Sequence, residues 1–139
     1  MDLREKLLKA IAARQLVGCY NNTRWRQLTD NVKGLPLRSR IKWVFEPEPT
    51  TWGTWSIPTN GYLEHDGLGP VPFREIEWLE IDSVERQYRG RLVSDKAIDR
   101  SHEVAAILNA HRVVFTEKGK IYRIYGYIDA SDPRVLELS

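Results

Sequence analysis

The sequence predicts a single α+β domain, with two N-terminal helices and one later helix packed on a mostly antiparallel sheet that ends in a C-terminal β-hairpin. Three observations predict it. Two stretches with apolar residues at a 3.6-residue period open the chain. The longest β-like run, Phe73-Arg74-Glu75-Ile76-Glu77-Trp78-Leu79-Glu80-Ile81-Asp82, is free of Gly and Pro and apolar on both faces, as a central strand is. Two alternating segments, Arg112–Thr116 and Lys120–Ile128, flank the turn Glu117-Lys118-Gly119. A length of 139 residues, 42% apolar and 29% charged, suits one globular domain. The domain is expected over residues 1–128, with 129–139 as a polar, frayed tail.

The first helix is expected from Asp2 to Val17. Asp2 is its N-cap, Leu3, Leu7, Leu8, Ile11, Ala12 and Leu16 form its apolar stripe, and Gly18 stops it. Asn22 is expected to cap a second helix, Thr23 to Lys33, whose core face is Trp25, Leu28, Thr29 and Val32. Arg38 to Glu46 alternates, with Ile41, Trp43 and Phe45 on one face and Val44 as the exception. Residues 47–72 hold five of the seven prolines and four of the nine glycines, so they read as long loops with short strands at Trp52–Ile57 and Tyr62–Glu64 around the turn Asn60-Gly61. In the central run Ile76 and Trp78 point one way, and Phe73, Leu79 and Ile81 the other. Arg91-Leu92-Val93 is expected as a short strand. A third helix, starting between Ser94 and Asp99, runs to Ala110 with Val104, Ile107, Leu108 and His111 on its face.

Net charge is +2, unevenly spread: residues 1–45 carry +7, 46–85 carry −8 and 86–139 carry +3. Either these segments pair with one another in the fold, or the acidic middle forms a face for a cationic partner. Cys19 is the only cysteine, so no internal disulfide forms and a reducing compartment fits. The first ten residues mix charges and have no signal-peptide core, and nothing approaches 18 consecutive apolar residues. The chain is therefore expected in the cytoplasm, without a membrane span.

Five segments occur in a fixed order: Asn21-Asn22-Thr23-Arg24-Trp25, Ile76-Glu77-Trp78-Leu79-Glu80-Ile81, Arg89-Gly90-Arg91-Leu92-Val93, Ile98-Asp99 and Tyr122-Arg123-Ile124-Tyr125-Gly126-Tyr127. In them the chain resembles a family of small bacterial proteins of unknown function, over residues 3–128. Arg24 stands where the family has Lys, and the proline-rich middle is longer. The resemblance implies one fold unit in a bacterial cytoplasm. By analogy with other small families of this kind, it points to an immunity protein that neutralises a toxin domain.

No P-loop, Gly-x-Ser-x-Gly or Gly-x-Gly-x-x-Gly is present. His65, His102 and His111 lack metal-ligand spacing, so neither a metal nor a cofactor is expected. Glu64-His65-Asp66 could serve acid–base chemistry in its Gly-rich loop, but neighbours along a chain seldom face each other, and a polar loop tip is the favoured explanation. Cys19 reads as a small buried hydrophobe. The favoured expectation is a non-catalytic protein-binding module. It would mask a cationic toxin domain with Trp52, Trp55, Tyr62, Glu64, His65 and Asp66, where aromatics sit among carboxylates in a loop region. The alternative is nucleic-acid or nucleotide binding by Arg86, Tyr88, Arg89 and Arg91, guanidinium groups interleaved with an aromatic ring.

Overall fold

The computed structural model describes residues 2–54, 61–65, 69–87 and 89–138, and of Glu64 and His65 the backbone alone. In chain order its elements are α1 (Leu3–Arg14), β1 (Leu16–Gly18), α2 (Asn22–Val32), β2 (Arg38–Trp43), β3 (Tyr62–His65), β4 (Gly69–Pro72), β5 (Ile76–Asp82), β6 (Val84–Gln87), β7 (Lys96–Asp99), α3 (Ser101–Ala110), β8 (Phe115–Lys118), β9 (Ile121–Tyr125) and β10 (Tyr127–Asp129). Short 3-10 turns lie at Phe73–Glu75 and Pro133–Glu137. This is the α+β architecture that the sequence predicts, with every strand pair antiparallel.

The main sheet has the order β2-β5-β9-β8, so the run read as central has a partner on each side. Leu79, Ile81, Tyr122, Ile124 and Ile41 line one face of it, and α2 and α3 cover that face with Trp25, Leu28, Val32, Val104 and Leu108. The four residues expected on the core face of α2 are all buried. Its N-cap is Asn21 rather than Asn22: the Asn21 side chain accepts the Arg24 amide at 2.8 Å. Trp25 stacks on Phe73 with ring centroids 5.7 Å apart and meets Tyr20 edge-on at 5.4 Å.

The central run departs from simple alternation. Lys42 pairs with Trp78 and Trp43 with Ile76, which leaves Glu77 as the extra residue of a bulge. Ile76 thereby joins Leu79 and Ile81 in the core instead of sharing a face with Trp78. Gly126, between β9 and β10, sits against this bulge. Its N–H donates to the Glu77 carbonyl at 2.7 Å, and a Cβ there would collide with the Ile76 carbonyl and lie 2.9 Å from the Trp25 ring.

Other expectations shift for identifiable reasons. α1 stops at Arg14 because Gln15 is left-handed, with φ 52°, and Leu16–Gly18 leaves the helix to pair with β10. The expected stripe is not a core face: Leu7 is buried, while Leu3 and Leu8 are exposed. Residues 91–93 form a turn and not a strand, between the arms of the β6–β7 hairpin, and Gly90 has φ 136°. α3 begins at Ser101, whose amide donates to the Asp99 carboxylate at 2.8 Å. The C-terminal hairpin turns through Gly119, φ 64°, as a primed turn requires. Beyond β10, Val135 and Leu138 pack on a second small cluster of Cys19, Val114 and Ile128. No helix among the described residues is long and apolar enough to cross a membrane.

Candidate functional site

Of the residues expected to bind a partner, Trp55 and Asp66 lie outside the described residues, as does Tyr88 of the alternative set. Glu64 and His65 are described in backbone only, opposite Pro70 and Gly69 in the β3–β4 ladder. Tyr62, on the same hairpin, is exposed. Trp52 is half-buried. Its ring is covered by the guanidinium groups of Arg40, at 4.8 Å, and Arg38, at 5.8 Å. Residues 50–53 fold back along the outer edge of β2: Thr50 N–H donates to Ile41 at 2.8 Å, and Ser39 and Gly53 exchange both backbone bonds. This edge pairing holds Trp52 over the sheet.

The charge segregation resolves into two populations. Basic β2 lies beside acidic β5, and their register sets Arg40 directly opposite Glu80, and Glu80 opposite Arg123 of β9. The buried Glu80 carboxylate accepts from Arg40 Nε at 2.6 Å and Arg123 Nε at 2.9 Å, and the Arg123 guanidinium lies 4.1 Å from the Trp78 ring. Asp82 takes Arg38 at 2.9 Å, and Glu85 takes Arg100 at 2.8 Å. Glu77 takes Arg14 at 2.6 Å and Lys42 at 2.7 Å. Burial works to raise the Glu77 pKa, but these two hydrogen bonds outweigh it, and the carboxyl sits below its ordinary value. The segments thus do pair with each other across the outer face of the sheet.

Three acids of the middle segment, Glu46, Glu48 and Glu75, make no ion pair among the described residues, and they line one groove. The turn after β2 brings Trp43, Phe45, Glu46, Glu48 and Pro49 to one side, and β4 brings Pro70, Val71 and Pro72 to the other. Leu3 of α1 closes one end, and the cavity measures about 420 Å³, within the range of small-ligand clefts. Glu75 lies in its lining and is only 9% exposed. The Glu75 carbonyl accepts Val44 N–H at 2.9 Å, which fixes the turn to the groove wall. Its carboxylate has no hydrogen bond or ion pair among the described residues. Burial raises its pKa above the ordinary value, against a smaller opposing effect of the Arg74 charge. Glu46 and Glu48 are exposed, and among the described residues no Lys or Arg lines the groove.

The arginines of the alternative set lie at the β6–β7 hairpin. Arg86, Arg89 and Arg91 are exposed and make no ion pair among the described residues; Arg89 Nε donates to the Ser94 carbonyl at 3.0 Å. Leu92, at the tip between them, is fully exposed.

Sequence reasoning passed over Glu75, Trp43 and Phe45 as ordinary strand residues. One signal was available for Glu75: it is a carboxylate between Phe73 and Ile76, on the face of the run assigned to the core. A protein-family model described as a family of unknown function (DUF6678) matches residues 7–131. No curated protein matches, and no solved structure matches.

Proposed function

The chain belongs to this family of unknown function, DUF6678, and we propose that it is a non-catalytic binding protein whose acidic groove takes up a cationic segment of another protein, as an immunity protein masks a toxin domain. The observation that carries this reading is the groove itself: three carboxylates, aromatic and proline walls, and no cation in the lining among the described residues. Such a cleft repels anions, steers basic partners and offers them apolar area. Exposed Tyr62 on the adjoining hairpin extends the same surface.

The test is retention by the tagged chain from its own cells, with nuclease present. The expected result is one stoichiometric basic protein, lost when Glu46→Lys and Glu48→Lys reverse the rim charge. A partner held equally by that double variant would overturn the groove as the interface.

A second reading rests on Arg86, Arg89 and Arg91, which are exposed and without acidic partners among the described residues. On this reading the β6–β7 hairpin binds nucleic acid or nucleotide. Single-stranded RNA or DNA would bind with an affinity that falls steeply with salt, and Arg89→Ala with Arg91→Ala would flatten that slope. A slope unchanged in the double variant removes the hairpin from consideration.

A further inference from the structure

Buried carboxylates in this molecule follow a rule. Glu80, Asp82 and Glu85 are each buried and each holds an arginine. Glu75 is as buried as these and holds nothing among the described residues. Arg74 follows Phe73 in the same turn, yet its side chain lines a different hollow, with Arg4, Leu7 and Leu8. An unpaired carboxylate kept out of water costs about 1–3 kcal/mol or more, and the chain, with 21 Lys and Arg, has placed none of them beside it in the groove.

We infer that the groove is a receptor for a lysine side chain of the partner, with Glu75 receiving the ε-ammonium and Trp43, Pro70 and Pro72 enclosing the stem. The inference rests on the masking reading above and specifies its anchor. Charge complementarity selects a cation, because among the described residues the lining carries three carboxylates and no positive group. Both basic heads can reach such a carboxylate, as Glu80 shows with two arginines, each on one oxygen; the apolar walls favour lysine, whose unbroken aliphatic stem is the longer of the two. The walls select a side chain over a free ion, since an aromatic ring and two prolines gain by covering methylene groups. Glu46 and Glu48 at the exposed rim then draw the basic segment in without being buried themselves.

The test uses the whole chain and three capped peptides: acetyl-Leu-Lys-Leu-amide, the same peptide with its ε-amine acetylated, and the arginine counterpart. Calorimetry and tryptophan fluorescence report binding. The lysine peptide is expected to bind, and ε-acetylation or Glu75→Gln to weaken it about tenfold or more. The arginine peptide is expected to bind more weakly than the lysine peptide. Equal binding of the acetylated peptide, or no effect of Glu75→Gln, overturns the inference. So does cadaverine binding as tightly as the peptide, which would mark a site for free amines. The two readings fail separately. A basic partner retained on the groove with no lysine-peptide binding removes the anchor and leaves the masking surface. Peptide binding that depends on Glu75, with no basic protein retained, removes the masking role and leaves the lysine site.

Discussion

Glu75 and Glu77 flank Ile76, and the fold treats them oppositely. Glu75 is buried without a cation, so its folded pKa is raised; Glu77 is held by Arg14 and Lys42, so its folded pKa is lowered. For Glu75 the folded protein is penalised once the pH exceeds the unfolded carboxyl value of about 4.3. Below that value both states are protonated and the penalty vanishes. Glu75→Gln is therefore expected to raise stability at pH 7 by about 1 kcal/mol, with the gain disappearing as a thermal melt is repeated at falling pH. Glu77 contributes stability above the unfolded value and loses it as pH falls through its lowered folded value. Glu77→Gln is expected to cost about 1–2 kcal/mol at pH 7 and little in strong acid. Gly126 sets a different constraint. Because a Cβ there meets the Ile76 carbonyl and the Trp25 ring, Gly126→Ala is expected to cost about 3 kcal/mol or more, read as a lower urea midpoint.

Among the elements, α1 separates pattern from packing. Its stripe has helical period, yet Leu7 alone of the helix is buried, and Arg14 makes the docking ion pair to β5. Leu8→Gln is expected to change stability by less than about 0.5 kcal/mol, and Leu7→Ala to cost about 2 kcal/mol; paired thermal melts decide. The helix was legible because periodicity is local, and its docking was not, because β1 leaves the helix to meet a strand from residues 127–129. α2 was legible in full, since Trp25, Leu28, Thr29 and Val32 face a sheet lying directly beneath them. In β5 the central position was legible from two-sided apolarity. The bulge at Glu77 was not, because it arises from the register with β2 and the amide of Gly126. The groove was legible only as an acidic, aromatic, proline-rich region. Its buried carboxylate lies just before the adjoining strand, and the contact of Trp52 with Arg38 and Arg40 depends on residues far apart in sequence.

Across the whole molecule, the +7 and −8 segments contribute neighbouring strands, and Arg14, Arg38, Arg40 and Lys42 of the first are held by Glu77, Glu80 and Asp82 of the second. Beside these pairs stand a groove with acids and no cation among the described residues, at the turn after β2, and an exposed basic hairpin at β6–β7. The internal pairs are partly buried and resist salt; the groove rim does not. Rising salt is therefore expected to leave the melting temperature nearly unchanged while weakening capture of a basic partner, a divergence that melts and binding at matched ionic strength would show.

The β1–β10 ladder also sets a schedule for synthesis. Leu16 pairs with Asp129 and Gly18 with Tyr127, so a chain emerging from the ribosome presents β1 long before its partner exists. Until β10 is made, α1 lacks the strand that anchors its C-terminal end, and Cys19, whose amide waits for the Gly126 carbonyl, stays open to solvent and oxidants. A thiol-reactive probe applied to stalled nascent chains should label Cys19 up to the release of residue 129 and fail to label it afterwards.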